Sequence, residues 1–213
     1  ISPVTTIESL CLLMAIIFLV KDKKLFWRSN LAYLIIVCLT EMVIGRYVAI
    51  KYHNNLWVYN IFMVFEVVFI TYGIYHCFKR YTNPKIVIGI GSLIISITYL
   101  AFLFKNGIFI LNLLTVSVMS VVFVVYGLYY YYLLLTNEEL PEINGNPEFW
   151  WLTSTLFYYF GGTTINLFYD LFMSIKFGPY SIKYLIYIVL NFILYGLWAY
   201  SFICRAKQRK SLS

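Results

Sequence analysis

Long apolar runs separated by short polar breaks follow one another along the whole chain. Seven of them approach or exceed the roughly 20 helical residues that cross about 30 Å of hydrocarbon. They cover residues 4–20, 31–50, 57–78, 86–104, 107–134, 150–175 and 184–204. The breaks, at 21–30, 51–55, 79–85, 105–107, 136–149 and 176–183, hold charges and turn formers. No run alternates polar and apolar residues as a membrane β-strand would, so the pattern predicts helices. The shortest break, Lys105-Asn106-Gly107, implies a very tight connection. The expected fold is an all-α membrane protein, a single seven-transmembrane helix bundle over residues 1–213. The first run lacks a basic leader and a small-residue cleavage site, so it reads as a retained helix rather than a signal peptide. The chain opens without Met, which reads as a trimmed start.

Composition agrees with the pattern. Of the 213 residues, 62% are hydrophobic and 12% charged, against about 25% charged in an average soluble domain. A soluble globule, a disordered chain and a nucleic-acid binder are thereby excluded, although the pI is about 9.1. The abundance of Ile, Phe, Tyr, Asn and Lys matches AT-rich codons, so the 21 tyrosines reflect base composition in part. Cys11, Cys38, Cys77 and Cys204 fall inside apolar runs without any Cys-x-x-Cys spacing and read as small buried hydrophobes.

The +7 formal charge is an orientation signal. With the first loop cytoplasmic, that side carries Lys21, Lys23, Lys24, Arg28, Lys79, Arg80, Lys85, Arg205, Lys207, Arg209 and Lys210. The other side holds only Lys51, Lys105, Lys176 and Lys183. This asymmetry predicts the N-terminus outside and the C-terminus in the cytoplasm. The basic loops and tail then face the leaflet where anionic lipids concentrate.

Orientation allows the polar residues to be ordered by depth. Glu8, Arg46, Asn60, Asn112 and Asp170 fall a turn or two below the outer face; Glu41, Glu66, Asn166 and Asn191 fall near the midplane. The inner half holds little beyond His76 and the tyrosines at 126 and 129–132. An outward-opening polar pocket over a sealed apolar half is expected, because charges inside a bilayer are costly and mark functional positions. Helical phase supports it. Tyr159, Gly162, Thr163, Asn166 and Asp170 share one face of span six, and Tyr184, Tyr187, Asn191, Tyr195 and Trp198 one face of span seven. Asn112 and Thr115 share a face of span five. Candidate ligand-binding residues are therefore Glu41, Glu66, Asn60, Asn112, Tyr159, Asn166, Asp170 and Asn191.

Each of these also has a purely structural reading. Glu41 and Arg46 lie about 140° apart round a helix, five residues at 3.6 per turn, so Arg46 is expected to snorkel or to form an inter-helix ion pair with Glu8 or Asp170. The four asparagines can serve as hydrogen-bonding glue between helices. Gly161-Gly162 can permit close packing or a hinge, His76 can be interfacial, and the inner tyrosines can form an aromatic belt. Glu41 and Glu66, two carboxyls at matching depth, are costly as anions and are the strongest functional candidates.

Several classes lack their signatures. Span seven has no lysine beyond Lys183 for a retinal Schiff base, and no Asp-Arg-Tyr or Asn-Pro-x-x-Tyr motif occurs. Pro3, Pro84, Pro141, Pro147 and Pro179 all lie at or outside span ends, unlike the broken helices of many transporters. No HExxH or GxSxG is present. An enzyme is not expected, and neither a cofactor nor a metal.

Two segments carry a resemblance. Pro147-Glu-Phe-Trp-Trp-Leu-Thr-Ser-Thr-Leu-Phe-Tyr-Tyr-Phe-Gly-Gly162 and the stretch from Asn191 to Arg205 resemble short seven-helix membrane proteins of Bacteroidota-type bacteria. Those show a Pro-x-Phe-Trp opening to span six, a Tyr-x-Gly-Gly-like break and an Asn-x-x-Leu/Met-Tyr pattern in span seven. Similar helices occur as the membrane sensor halves of histidine kinases. The resemblance implies a sensory module in a bacterial cytoplasmic membrane. With only about nine residues after span seven, output is expected to pass to a separate signalling protein at the cytoplasmic face, through loops 21–30, 79–85 or 136–149. The lipid bilayer is the other expected partner, and no nucleic acid is. The alternatives are a small-solute or cation transporter using the midplane carboxylates, and a structural accessory subunit of a membrane complex.

Overall fold

The computed structural model describes residues 2–137 and 143–211, with the side chains of Tyr169 and Asp170 outside the description. Within it the chain is all-α apart from one two-residue hairpin. The helices are α1 (Pro3–Leu19), α2 (Leu25–Leu39), α3 (Gly45–Tyr52), α4 (Leu56–Phe78), α5 (Lys85–Asn106), α6 (Leu113–Leu135), α7 (Pro147–Leu167), α8 (Tyr169–Ser174) and α9 (Ile182–Ser211). A π-helical turn, Thr40–Ile44, joins α2 and α3 into one rod, Leu25–Tyr52. The hairpin pairs β1 (Lys176–Phe177) with β2 (Tyr180–Ser181) in antiparallel fashion ahead of α9.

Five helical segments are long and apolar enough to cross a membrane: Leu25–Tyr52, Leu56–Phe78, Lys85–Asn106, Leu113–Leu135 and Ile182–Ser211. These fit a multi-pass membrane protein. α1 is a shorter apolar helix, and α7 packs along both α9 and α6. The outward-facing side chains are those that lipid solvates. α5 buries only Ile88, Gly91 and Ile95 and exposes Ile86, Ile90, Leu93, Ile97 and Phe104.

At the starts of α1, α6 and α7 a side-chain cap satisfies one of the free backbone N–H groups. The Ser2 hydroxyl accepts from the Thr5 amide at 3.1 Å with Pro3 opening α1. Asn112 and Asn146 cap α6 and α7, accepting from Thr115 N at 2.9 Å and Phe149 N at 3.2 Å. At the far end of the α2–α3 rod, His53 adopts the left-handed conformation (φ 54°) and stops the helix.

Three boundaries differ from the sequence expectation. The fifth span was expected from residue 107, but α6 begins at Leu113. Gly107, at φ 75°, turns the chain, and the following loop is held by Asn60: its amide donates to the carbonyls of Ile108 (2.6 Å) and Ile110 (2.8 Å), and its oxygen accepts from Asn112 N (3.0 Å). The sixth span was expected to run to 175, but the helix breaks at Phe168. The seventh continues to Ser211, because Arg205 is anchored and keeps the basic tail helical.

Candidate functional site

The α2–α3 rod, α4, α7, α9 and α1 surround a cavity of about 210 Å³. It lies in the half of the bundle nearest the 53–55 and 107–112 connections. α9, α4 and the α2–π segment each contribute a stripe at helical spacing. α9 supplies Tyr187, Asn191, Leu194, Tyr195 and Trp198; α4 supplies Tyr59, Phe62, Met63, Glu66 and Ile70. Tyr33, Val37 and Glu41, four residues apart, line it from α2 and the π turn, with Tyr158 and Tyr159 from α7 and Glu8 from α1. From Tyr187 to Trp198 is eleven residues, about 16 Å of helix. Tyr187 is 42% exposed and Trp198 1%, so the cavity deepens from the Tyr187 end toward Trp198.

Three carboxyl groups face this space, and no lysine or arginine lines it. The Tyr159 hydroxyl donates to Glu66 Oε1 at 2.6 Å, and the Tyr59 hydroxyl to Glu41 Oε2 at a long 3.5 Å. Glu8 is 4% exposed, and its Oε2 has no hydrogen-bond partner. Asn191 turns its amide donor back to the Tyr187 carbonyl, at 2.8 Å.

The π turn contributes to this arrangement. It inserts an extra residue into the rod, so the residues beyond it are rotated relative to an uninterrupted helix. Glu41 remains in line with Tyr33 and Val37, while Arg46 emerges on the exposed side. Gly45 closes the turn where space is short. A Cβ there would sit 2.9 Å from the Thr40 carbonyl oxygen and 3.0 Å from the Tyr59 hydroxyl. The Asn55 amide donates to the Gly45 carbonyl at 3.2 Å. Such π-bulges are frequent where a helix carries a site.

Below the cavity the bundle is closed by aromatic rings. Tyr33 stacks on Phe69 (3.9 Å between centroids, 6° between planes), and Trp198 stacks on Trp151 (5.6 Å, 4°). Phe69 meets both tryptophans edge-on, at 5.9 and 6.0 Å. Both indole N–H groups are satisfied. Trp151 Nε1 donates to Asn30 Oδ1 at 2.8 Å, and Trp198 Nε1 to the Trp151 carbonyl at 3.2 Å. Trp151 fits only because residue 73 is glycine; a Cβ at that position would overlap the indole ring.

Of the eight candidates from sequence, Glu41, Glu66, Tyr159 and Asn191 line one cavity. Asn60 and Asn112 instead tie down the 107–112 loop and cap α6. Asn166 donates to Ser117 Oγ at 3.3 Å, away from the cavity. The Asp170 side chain lies outside the described residues. The ion pair proposed for Arg46 and Glu8 is not formed: Arg46 is exposed and has no salt bridge among the described residues, while Glu8 faces the cavity. Gly161 serves close packing, with Leu190 of α9 occupying the space of its absent Cβ. Tyr126 and Tyr130 are buried rather than belt residues, and the Tyr126 hydroxyl donates to the carbonyls of Val87 and Ile88 at 3.1 Å. The lining residues that sequence reasoning left out, Tyr33, Tyr59 and Tyr158, were hidden among many other tyrosines. Glu8 was named, but for another role.

The opposite end of the molecule uses charge differently. Asp22, 3% exposed, accepts from Arg205 Nε (2.7 Å) and Nη2 (3.1 Å) and from the Lys24 amide (2.8 Å), with Arg209 Nη1 at 3.7 Å. Burial pushes this carboxyl up, but the Arg205 hydrogen bonds, the Lys24 N–H and the two guanidinium charges outweigh it and hold it below its ordinary 3.8. Arg205 also lies over the Trp27 ring at 5.9 Å. His76 is not isolated, since it stacks on Phe26 at 4.4 Å and its Nε2 is 3.6 Å from Glu148 Oε1. No family, curated protein or solved structure matches this chain.

Proposed function

We propose that the chain is a sensory or signalling module of a bacterial cytoplasmic membrane. In this reading seven helices span the bilayer, the N-terminus is outside and the C-terminus is cytoplasmic. α1 and α7 complete the seven, and the basic residues at 21–28, 79–85 and 205–210 mark the inner face. The cavity then opens toward the outer side. A signal passes to a separate partner at the inner face, where Arg205 of α9 joins the first loop.

One observation carries this reading: the acidic cavity ends on a buried aromatic stack whose two indole N–H groups are hydrogen-bonded. A blind outer pocket suits detection of an external ligand. A carrier of small solutes or cations would route its cargo past Glu66, and the three carboxyls favour that alternative to this extent. It would have to part the Tyr33–Phe69 and Trp151–Trp198 pairs, whose rings come from four helices packed together, α2, α4, α7 and α9.

Sidedness of access separates the two. The four native cysteines are buried, so a thiol introduced by Tyr187→Cys in proteoliposomes of known orientation reports on the cavity mouth. Labelling by a membrane-impermeant maleimide is expected from the outer side only, with no Glu66-dependent cation uptake into the vesicles. Labelling from the inner side, or uptake abolished by Glu66→Gln, would overturn the sensory reading in favour of transport.

A further inference from the structure

The lining of the cavity is chemically one-sided, and this defines what it can hold. Glu8, Glu41 and Glu66 face it with no cationic side chain among them. The Glu8 carboxyl, 4% exposed, meets the Tyr195 hydroxyl but keeps one oxygen, Oε2, without a hydrogen-bond partner. A buried polar atom left unpaired is costly, and more so if charged, so this oxygen suits a ligand that supplies a donor or a positive charge. Six tyrosines and Trp198 make up about half of the remaining lining; aromatic ring faces carry the negative lobe of the quadrupole and attract cations.

From this geometry we infer that the cavity binds a small organic cation, an alkylammonium or quaternary ammonium ion. Its charge lies against Glu8 and Glu66, and its methyl or methylene groups lie against Tyr33, Tyr195 and Trp198. The inference rests on the ligand-sensing reading above and supplies its ligand class. A bare metal ion fits less well. Among the described residues no three His, Cys, Asp or Glu side chains converge as a ligand set, so the carboxyls meet the space from separate walls. Anions would be opposed by the three carboxyl groups, with no cationic side chain in the lining to offset them. A neutral polyol would leave the acidic groups without a counter-charge. Size gives a further limit. The 210 Å³ of the cavity corresponds to about seven water-sized groups at about 30 Å³ each, which admits an ion of the bulk of choline and excludes a peptide or a nucleotide.

The test uses the full chain in lipid nanodiscs with Trp198 as part of the reporter. Tryptophan fluorescence is followed during titration with choline, with its uncharged carbon isostere dimethylbutanol, and with butyrate. Choline is expected to give a saturable change, dimethylbutanol to bind at least about tenfold more weakly, and butyrate to give none. Glu8→Gln combined with Glu66→Gln should weaken choline at least about tenfold while leaving dimethylbutanol unchanged. Glu66→Gln alone keeps an acceptor for the Tyr159 hydroxyl and serves as the variant that folds if the double one does not. Equal binding of the isostere, preference for butyrate, or an unaltered choline response in the Gln variants would each overturn the cation assignment while leaving a ligand pocket in place. Absence of any saturable response removes the assignment too. The sidedness labelling then decides the pocket reading on its own.

Discussion

Asp22 lies in the first loop and Glu66 halfway along α4, and the structure treats these two carboxyl groups in opposite ways. Asp22 is enclosed by a two-pronged guanidinium, a backbone N–H and a second arginine. Glu66 has one tyrosine hydroxyl, and Glu8, lining the same cavity, keeps one oxygen with no partner. A carboxylate given every partner it can use is a fastener, here joining the first loop to α9. Carboxyls left short of partners around a common space do not hold the fold together. Their unused acceptor capacity is available to a ligand. The contrast separates structural charge from functional charge without reference to any relative.

The sharpest way to break this comparison is to remove the fastener. Arg205→Ala leaves Asp22 buried beside only the more distant Arg209. It should cost about 3–5 kcal/mol, the usual penalty for half of a buried pair, read as a lower unfolding midpoint in mild detergent. Replacing both partners by apolar residues, Asp22→Leu with Arg205→Met, should recover much of the loss. A single variant as stable as the parent would remove the fastener role. The aromatic closure comes next. Gly73→Ala pushes a methyl into the Trp151 ring and should cost about 1–3 kcal/mol, with a shift of tryptophan emission as the stack opens.

Acidification probes the same fastener more gently. Asp22 is held below its ordinary 3.8 in the folded chain, so its contribution is fully present above that value. It is lost as the pH falls through the folded value. Melting temperatures should therefore decline on acidification below about pH 4. Asp22→Asn should be less stable than the parent at pH 7 and should close the gap as the pH drops. A gap that stays constant from pH 7 to 3 would assign the acid sensitivity to other groups.

What the sequence disclosed, and what it hid, follows from the range over which each signal acts. The apolar runs predict the helices because the burial of some twenty consecutive residues is a local property. The stripe from Tyr187 to Trp198 was legible for the same reason, being set by helical phase alone. Asp22 pairing with Arg205 was not legible. The two are 183 residues apart, and both sit in loops or tails whose charge is fully accounted for by orientation. The Asn60 contact to the 107–112 loop was hidden likewise. An asparagine near a helix start looks the same whether it faces a ligand or a backbone carbonyl 48 residues away. The π turn, Thr40–Ile44, was invisible as well.

The smallest expected effect on stability is the most informative one. Glu66→Gln preserves shape and keeps a carbonyl oxygen where the Tyr159 hydroxyl donates, so the 2.6 Å hydrogen bond is weakened rather than lost. The charge-capable group disappears, but no arginine is left behind to be orphaned, because none lines the cavity. The change in unfolding free energy should stay under about 1.5 kcal/mol, the net worth of one ordinary hydrogen bond, and can be of either sign. Arg205→Ala measured under the same detergent conditions supplies the scale. If Glu66→Gln destabilises as much as Arg205→Ala, then Glu66 is a second fastener and the cavity is a packing feature. If it is near neutral and still changes the response to ammonium ions, then the uneven treatment of the two carboxyls is the boundary between scaffold and site.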